Sequence, residues 1–365
     1  MSPELLYQIA LSLVPNIGPV QAKILIEHYG RASSVFNART DELKHLEGIG
    51  EIRAKCIKHF SAFDIAEKEI RFIEKFGIKP LFLTDPEYPR RLLNCYDSPL
   101  LLFYKGNADL NSSRIVAIVG TRHNSDYGKQ AAEKLVKELA DLDVMIISGL
   151  AFGIDAIAHK AALAHNLDTI GVLAHGLGQV YPSQHTGLAK EMTKAGGLLT
   201  EFRSNTSPDK HNFPTRNRIV AGMSDAVVVI ETRIKGGSII TAELANGYNR
   251  DVFAIPGKNT DIKSAGCNLL IRDNKSVLLS DTSFLLQTMG WLPQKNKSKK
   301  QRELFSDLSD NERIVLNILA QKDTVHIDEI CFKARINTSL VAAAILNLEL
   351  QNIISALPGK MYCLQ

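Results

Sequence analysis

The sequence lacks the features of several large protein classes. It holds no apolar run of 18 or more residues, so no membrane-spanning helix is predicted. Its first residues carry no basic segment ahead of an apolar one, so we expect no signal peptide. The five cysteines include no C-x-x-C pair, which disfavours a zinc site or a disulfide framework and indicates reduced thiols in a cytoplasmic protein. We expect neither a metal nor a cofactor.

Common nucleotide-binding and esterase motifs are also absent. The apolar segment Ile115–Val119 runs into Gly120, Thr121 and Arg122, but the later glycines of G-x-G-x-x-G and the lysine of a P-loop are missing. No G-x-S-x-G elbow surrounds Ser148. What remains is a strand that ends in glycine and opens onto a helix, where free backbone N–H groups can bind an anion. With Arg122 beside it, this site points to the phosphate of a nucleic-acid backbone.

Composition and length set wider bounds. A content of 45% hydrophobic and 22% charged residues is that of an ordinary globular protein, and 365 residues are enough for two or three domains. The formal net charge of +4 is compatible with a nucleic-acid partner but does not require one.

The central region alternates strand and helix patterns, which predicts a doubly wound α/β fold with a parallel sheet. The predicted strands are 115–119, 144–148, 169–173, 198–200, 226–230 and 252–255. Ligands of such sheets bind beyond the carboxyl ends of the strands. The candidate DNA-binding residues at those ends are Gly120, Thr121 and Arg122, then Ser148 and Gly149, and then Lys235, Gly236, Gly237 and Ser238.

The segment 208–218 holds the densest group of cations, placed before a helix that we predict to start near Ile219. Lys210, Phe213, Arg216 and Arg218 are its candidate DNA-binding residues, because cations that hold phosphates beside a ring that stacks on bases are typical of single-stranded nucleic-acid sites. The alternative is that Phe213 lies in the core. In that case the two arginines pair with carboxylates, the candidates being Glu201, Asp225 and Glu231.

The flanking regions predict further modules. Residues 1–79 contain two apolar–glycine hairpins, each followed by a helical run, and this is the helix-hairpin-helix pattern. Gly48 and Gly50 of the second hairpin are possible secondary DNA contacts, while a module that only packs on its neighbour is equally compatible. Residues 80–112 form a proline-interrupted connector whose segment 100–104 is a possible edge strand, and 113–290 form the sheet domain.

The C-terminal part predicts a basic linker and a winged helix. Residues 291–305 include five cations in eleven residues, which favours a solvated tether over a nucleic-acid contact. Residues 306–365 give three helices followed by a hairpin, the pattern of a winged helix. Its excess of carboxylates disfavours phosphate binding, so we expect a protein-contact or regulatory role.

The motifs taken together resemble the DprA/Smf family of bacterial DNA-processing proteins. The motifs that carry this resemblance are VGTR at 119–122, SGLA at 148–151, GID at 153–155, YP at 181–182, NFP at 212–214, RNRIVAG at 216–222, GS at 237–238 and PG at 256–257. The resemblance covers essentially the whole chain.

The resemblance implies an extended Rossmann-like domain flanked by a helical, SAM-like module and a winged helix. It implies a homodimer without catalytic activity that binds single-stranded DNA, protects incoming strands and helps to load the RecA recombinase in natural transformation. Arg122 and Lys210 would hold the DNA backbone, and Phe213 would lie near a base. The rival hypothesis is a nucleotide phosphoribohydrolase-like enzyme on the same type of sheet, although the segment 235–243 departs from the P-G-G-x-G-T-x-x-E loop of such enzymes. A third hypothesis is a scaffold that binds only proteins.

Overall fold

The computed structural model describes residues 3–292, 308–351 and 353–365. The basic linker predicted at 291–305 therefore lies almost wholly outside the described residues. The helices within residues 3–100 are α1 (Pro3–Leu13), α2 (Pro19–Tyr29), α3 (Ala32–Asn37), α4 (Thr40–His45), α5 (Gly50–Lys58), α6 (Phe63–Phe76) and α7 (Arg90–Leu93). None of the described helices is both long enough and apolar enough to cross a bilayer.

Nine strands of the described residues form one sheet, in the order β1-β2-β6-β5-β4-β3-β7-β8-β9. They are β1 (Lys79–Phe82), β2 (Leu101–Gly106), β3 (Ile115–Gly120), β4 (Met145–Ser148), β5 (Thr169–Val172), β6 (Gly196–Thr200), β7 (Ala226–Ile230), β8 (Asp251–Ala254) and β9 (Val277–Leu278). Across the sheet, the seven neighbouring strands β6-β5-β4-β3-β7-β8-β9 pair in parallel. Strand β2 pairs antiparallel with both β1 and β6. The segment 100–104, predicted as a possible edge strand, therefore forms an inner strand, because β1 pairs with its outer side.

Helices cover both faces of this sheet. They are α8 (Asp126–Leu139), α9 (Ile154–Ala164), α10 (Thr186–Met192), α11 (Asn212–Met223), α12 (Gly237–Gly247), α13 (Ala265–Arg272) and α14 (Thr282–Thr288). Val116 and Ile118 of β3 pack in one core with residues of α8 and α9, whereas Ala117 and Val119 pack in another with residues of α11 and α12. A strand that is apolar on both sides is typical of a doubly wound sheet. The predicted fold class is confirmed.

The N-terminal helices contain the two predicted hairpins, one between α1 and α2 and the other between α4 and α5. Arg53 joins them, because its Nε donates to the carbonyl of Asn16 and its Nη1 to the carbonyl of Gly48, both at 3.0 Å. Helix α6 ties this module to the sheet domain. The buried Glu69 carboxylate accepts from the backbone N–H of Ser204 at 2.8 Å and from its hydroxyl at 2.7 Å.

The C-terminal residues fold as a winged helix. Its elements are α15 (Asp310–Leu319), β10 (Val325–His326), α16 (Ile327–Ala334), α17 (Thr338–Leu350), β11 (Ile354–Leu357) and β12 (Met361–Leu364). The side chain of Asn337 caps α17 by accepting from the N–H of Ser339 at 3.0 Å. The turn between β11 and β12, the wing, packs against the end of α14. A Cβ built on Gly359 would lie 1.6 Å from the carbonyl oxygen of Met289.

A buried ion-pair network holds the winged helix on the sheet domain. Asp328 of α16 accepts from Arg250 Nη1 at 2.5 Å and from Asn94 Nδ2 at 2.9 Å. Although burial acts to raise the pKa of Asp328, the charge of Arg250 acts against it, and the pKa lies below its usual value. Beside it, Arg91 donates to both carboxylate oxygens of Asp225, at 2.7 and 2.9 Å.

Asp225, His326 and Asp328 also form a group of the metal-ligand type within the described residues. Their ligand atoms are already used by the protein, because the two arginines neutralise the carboxylates and His326 Nδ1 accepts from the N–H of Asp328 at 3.1 Å. The arrangement therefore serves to dock one domain on another.

Candidate nucleic-acid interface

The carboxyl ends of the parallel strands form one edge of the sheet, which we call the crest. A small concavity of about 40 Å³ opens there beside the ends of β3, β4 and β5. It is lined by Arg122, Gly149, Leu150, Ala151, Phe152, Val172, Leu173, Ala174, His175, Tyr181, Pro182, Phe213 and Arg216. This place adjoins the point where the strand order reverses, between β3 and β7, as expected for ligands of doubly wound sheets.

The predicted anion site at the start of α8 is occupied by the protein itself. The Glu231 carboxylate accepts from the backbone N–H of Ser125 at 2.8 Å and from its hydroxyl, and the N–H of Thr121 donates to the Glu231 carbonyl at 2.7 Å. A Cβ on Gly128 would lie 2.3 Å from that carboxylate. The sequence-based prediction differs from the structure here because an acidic residue of a neighbouring strand end supplies the anion. Gly120 itself serves packing, since a Cβ would lie 2.0 Å from the Ile230 carbonyl oxygen.

Helix α11 begins at Asn212, seven residues before the predicted start. Pro214 falls in its first turn, where the missing N–H is tolerated, so this proline does not mark a loop. Phe213 and Arg216 are consequently positioned by a helix and line the concavity. Lys210 lies just before the helix and is exposed.

Arg122 and Phe213 meet at the concavity. The guanidinium carbon of Arg122 lies 5.1 Å from the centroid of the Phe213 ring, within the range of a cation–π contact. Arg122 is exposed, and among the described residues neither it nor Lys210 has a carboxylate partner. Lys210 is three residues before Phe213 in the chain, just ahead of the same helix.

Arg216 lies at the inner end of the same concavity and is 6% exposed. Its Nη1 donates to the Val172 carbonyl at 2.6 Å. A Cβ on Gly149 would lie only 1.9 Å from that Nη1, so the glycine gives the guanidinium its room. Burial lowers the pKa of Arg216 and raises the pKa of the nearby Asp155 carboxyl, while the opposite charges of the two groups offset part of each effect. The inner wall therefore carries a buried positive group.

Arg218 pairs with a carboxylate, which is the alternative to DNA binding that the sequence left open. It is buried, forms an ion pair with Glu201 and donates to the carbonyl of Asp97. Burial raises the pKa of Glu201, and the charge of Arg218 acts in the opposite direction. The effect of burial is the larger one, so the pKa lies at about 7. Arg218 is therefore an internal charge, unavailable to a ligand on the surface.

Some of the remaining predicted crest residues are buried and others are exposed. Ser148 is fully buried and donates to the Ile118 carbonyl at 2.6 Å, so its hydroxyl faces the interior. Lys235 is exposed, next to Gly236, the N-terminal cap of α12. No side chain caps this helix, and a Cβ on Gly237 would meet nothing within 4 Å. Ser238 is buried. The start of α12 thus keeps the open N–H groups that the start of α8 does not have.

The second N-terminal hairpin lies apart from these groups. Gly48 and Gly50 have φ values of +79° and +66°, which only glycine adopts readily. A groove at Gly48 is lined by Ile24, Glu27, His28, Leu46 and Glu47. Two glutamates repel a phosphate, so this groove is a poor place for a DNA backbone.

Sequence reasoning did not identify Phe152 and Tyr181 as site residues. Both line the concavity, with 44% and 49% of their surfaces exposed. The rule that ligands bind beyond strand ends was available, since Phe152 follows β4 and Tyr181 follows β5. Only the structure shows that the loops after β4 and β5 bring both rings to the same concavity.

Comparisons with known proteins agree with this architecture. Residues 79–290 match the sequence model of DNA recombination-mediator protein A, and residues 300–360 match that of the DprA winged helix domain. Protein Smf of Synechocystis sp. is 34% identical over 98% of this chain and 98% of its own length. The X-ray structure of DNA processing protein A from Streptococcus pneumoniae has a TM-score of 0.68 and 33% identity, and it covers 77% of this chain and 96% of that one.

A structure of DNA processing protein A from Helicobacter pylori, determined for insight into its single-stranded DNA binding mode, has a TM-score of 0.54 and 29% identity. It covers 59% of this chain and 97% of that one. On these matches and the shared architecture, the chain belongs to the DNA recombination-mediator protein A family, also called DprA or Smf.

Proposed function

We propose that this protein binds single-stranded DNA without sequence preference at the crest of its sheet. The observation that supports this most directly is the contact between Arg122 and Phe213 at the mouth of the concavity, with Lys210 nearby. Exposed cations hold phosphates of any sequence, and an exposed ring stacks on any base. The Helicobacter pylori relative is described as binding single-stranded DNA, which is consistent with this function.

The proposed DNA contacts are Arg122, Lys210 and Phe213, with Arg216 and Gly149 forming the inner wall. Lys235 and the uncapped start of α12, at Gly236 and Gly237, extend the contact past the end of β7. Arg218, Ser148 and Ser238 are left out because they are buried, and Gly48 and Gly50 because of the neighbouring glutamates.

The binding function is favoured over catalysis by the chemistry of the concavity. Among the described residues that line it there are two arginines and no carboxylate, and both ring nitrogens of His175 are engaged by backbone groups, the Gly176 carbonyl and the Tyr181 N–H. We therefore propose a protein without catalytic activity. Incubation with nucleoside monophosphates tests the rival hypothesis, and release of free base would establish a phosphoribohydrolase instead.

In the cell, we propose that the protein works in the cytoplasm as a homodimer. It protects incoming single strands and helps to load the RecA recombinase during natural transformation. The winged helix contributes protein contacts or regulation. Two observations support this: α17 contains no lysine or arginine, and the wing is packed against α14. Arg335→Ala and Lys360→Ala are accordingly expected to leave the DNA affinity and its salt dependence unchanged.

The deciding experiment is a titration of a fluorescent thymine oligonucleotide at several salt concentrations, with duplex DNA as comparator. The logarithm of the affinity should fall linearly with the logarithm of the salt concentration, by about 0.7 per phosphate neutralised. The double variant Arg122→Ala, Lys210→Ala should bind more weakly and with a smaller slope. Lys190→Ala, a lysine in the last turn of α10, is the matched control. Full-strength binding by the double variant would show that the site is wrong.

A further inference from the structure

We infer that Phe152 and Tyr181 form a second stacking platform for bases of the same strand. The inference rests on the proposed single-stranded DNA binding and extends it beyond the Arg122–Phe213 contact. Both rings line the concavity, and nearly half of each is exposed. An isolated exposed aromatic residue needs no explanation, but two that line one concavity with a third ring and two arginines form a surface with a defined chemistry.

Buried histidines contact the ring of Phe152 and the backbone of Tyr181. The Phe152 ring packs edge to face on His185, with centroids 4.9 Å apart and an interplanar angle of 66°. His185 Nδ1 is held 2.9 Å from the Leu150 carbonyl oxygen. The N–H of Tyr181 donates to Nε2 of His175 at 3.2 Å. The rings are therefore attached to an ordered frame, so that less conformational entropy is lost when a ligand stacks on them.

The order of strands gives this platform a direction. Arg122 follows β3, Phe152 follows β4 and Tyr181 follows β5, and these strands are adjacent in the sheet. Neighbouring strands lie about 4.8 Å apart, so the crest from β3 to β5 spans roughly 10 Å. A single strand that is held by its phosphates at Arg122 and runs toward β5 presents its next bases to Phe152 and Tyr181.

The ligand class follows from the charges around the rings. The concavity is lined by two arginines and, among the described residues, by no carboxylate, which favours an anionic ligand. Two aromatic faces with flanking cations suit an unpaired polynucleotide, because every base has a face that can stack. A duplex keeps its bases stacked on each other and cannot use these rings.

The test compares the double variant Phe152→Ala, Tyr181→Ala with the wild-type protein on thymine oligonucleotides across a salt series. Loss of both stacking contacts should weaken binding at least about 30-fold at every salt concentration while the slope stays the same. Tyr181→Phe should bind as the wild type does. Tyr96→Ala is the matched control, since Tyr96 is a 65% exposed tyrosine that packs against Tyr248 instead. Thermal melts establish that the variants are folded.

Oligonucleotides with abasic positions separate stacking from other causes. On such a strand the wild type and the double variant should bind equally, because there is no base to stack. An unchanged affinity of the double variant for thymine strands, or an equal loss on abasic strands, would overturn the platform. If the platform is overturned but Arg122→Ala weakens binding in the same assay, the proposed single-stranded DNA binding at the crest still holds. If the wild type shows no salt-dependent binding, both the platform and the proposed function fail.

Discussion

The Arg122 guanidinium packs over the Phe213 ring, with 5.1 Å between the guanidinium carbon and the ring centroid. The two residues are distant in the chain and come together because β3 ends where α11 begins. The ring restricts the guanidinium at the mouth of the concavity, and both groups still face solvent in part. A cation and a ring held together in this way offer a phosphate contact and a stacking surface at one point.

Replacing Phe213 by alanine is expected to weaken binding of thymine oligonucleotides by about 1–3 kcal/mol, the value of one base–aromatic contact. The dependence on salt should stay the same because no cation is removed. Fluorescence anisotropy at three salt concentrations measures both quantities. Phe76→Ala is the control, as this partly exposed ring packs on Phe72 of the N-terminal module. An affinity equal to that of the wild type would remove Phe213 from the site.

Gly149→Ala should disturb the inner wall of the concavity. Its Cβ would lie within 2.4 Å of three guanidinium atoms of Arg216, so the buried arginine must move. We expect a loss of stability of about 1–3 kcal/mol, as for other overpacked sites, and weaker DNA binding. Gly247→Ala is the matched control, since its added Cβ meets nothing within 4 Å. Urea unfolding and the DNA titration give the two readouts, and wild-type behaviour in both would contradict the packing argument.

Asp328→Ala should loosen the winged helix. The substitution leaves Arg250, which is 6% exposed, without its carboxylate partner, and a buried charge without a partner costs about 3–5 kcal/mol. Hydrogen exchange at the wing and at α16 should become faster, while the sheet core keeps its protection. Asp323→Ala changes an exposed aspartate of the same domain and serves as control. Unchanged exchange at the wing would show that the network does not hold the domain.

The raised pKa of Glu201 predicts that the stability of the protein depends on pH. Burial raises its pKa in the folded state to about 7, against an ordinary value of 4.5. Between these values the folded protein binds more protons than the unfolded chain, so the free energy of unfolding should decrease as the pH rises from about 5 to 7. The decrease is roughly 3 kcal/mol and then levels off.

Glu201→Gln removes the titrating group and should flatten this part of the curve, even if the variant is less stable overall. Urea unfolding at half-unit pH steps compares the two proteins. A decrease of equal size in the glutamine variant would assign the pH dependence to another group.

The sequence alone determined the type of each module, because periodicity and turn residues are local properties. The strand of residues 226–230 has the predicted bounds, and the other predicted strands agree within one or two residues. The predicted helix boundaries differ from the structure where a proline is compatible both with a loop and with the first turn of a helix. Pro214 lies ahead of the helix start predicted near Ile219, yet it falls in the first turn of α11, where its fixed φ is compatible with a helix.

Only the tertiary structure decided which charged groups are used inside the protein. Spacing in the sequence does not show that Glu231 fills the start of α8, that Arg218 pairs with Glu201, or that Phe152 and Phe213 line one concavity. The physical reason is that parallel strands distant in sequence end at one edge, so the partner of each polar group comes from another loop. A charge is free for a ligand only when no such partner reaches it, and that depends on the folded arrangement of the whole crest.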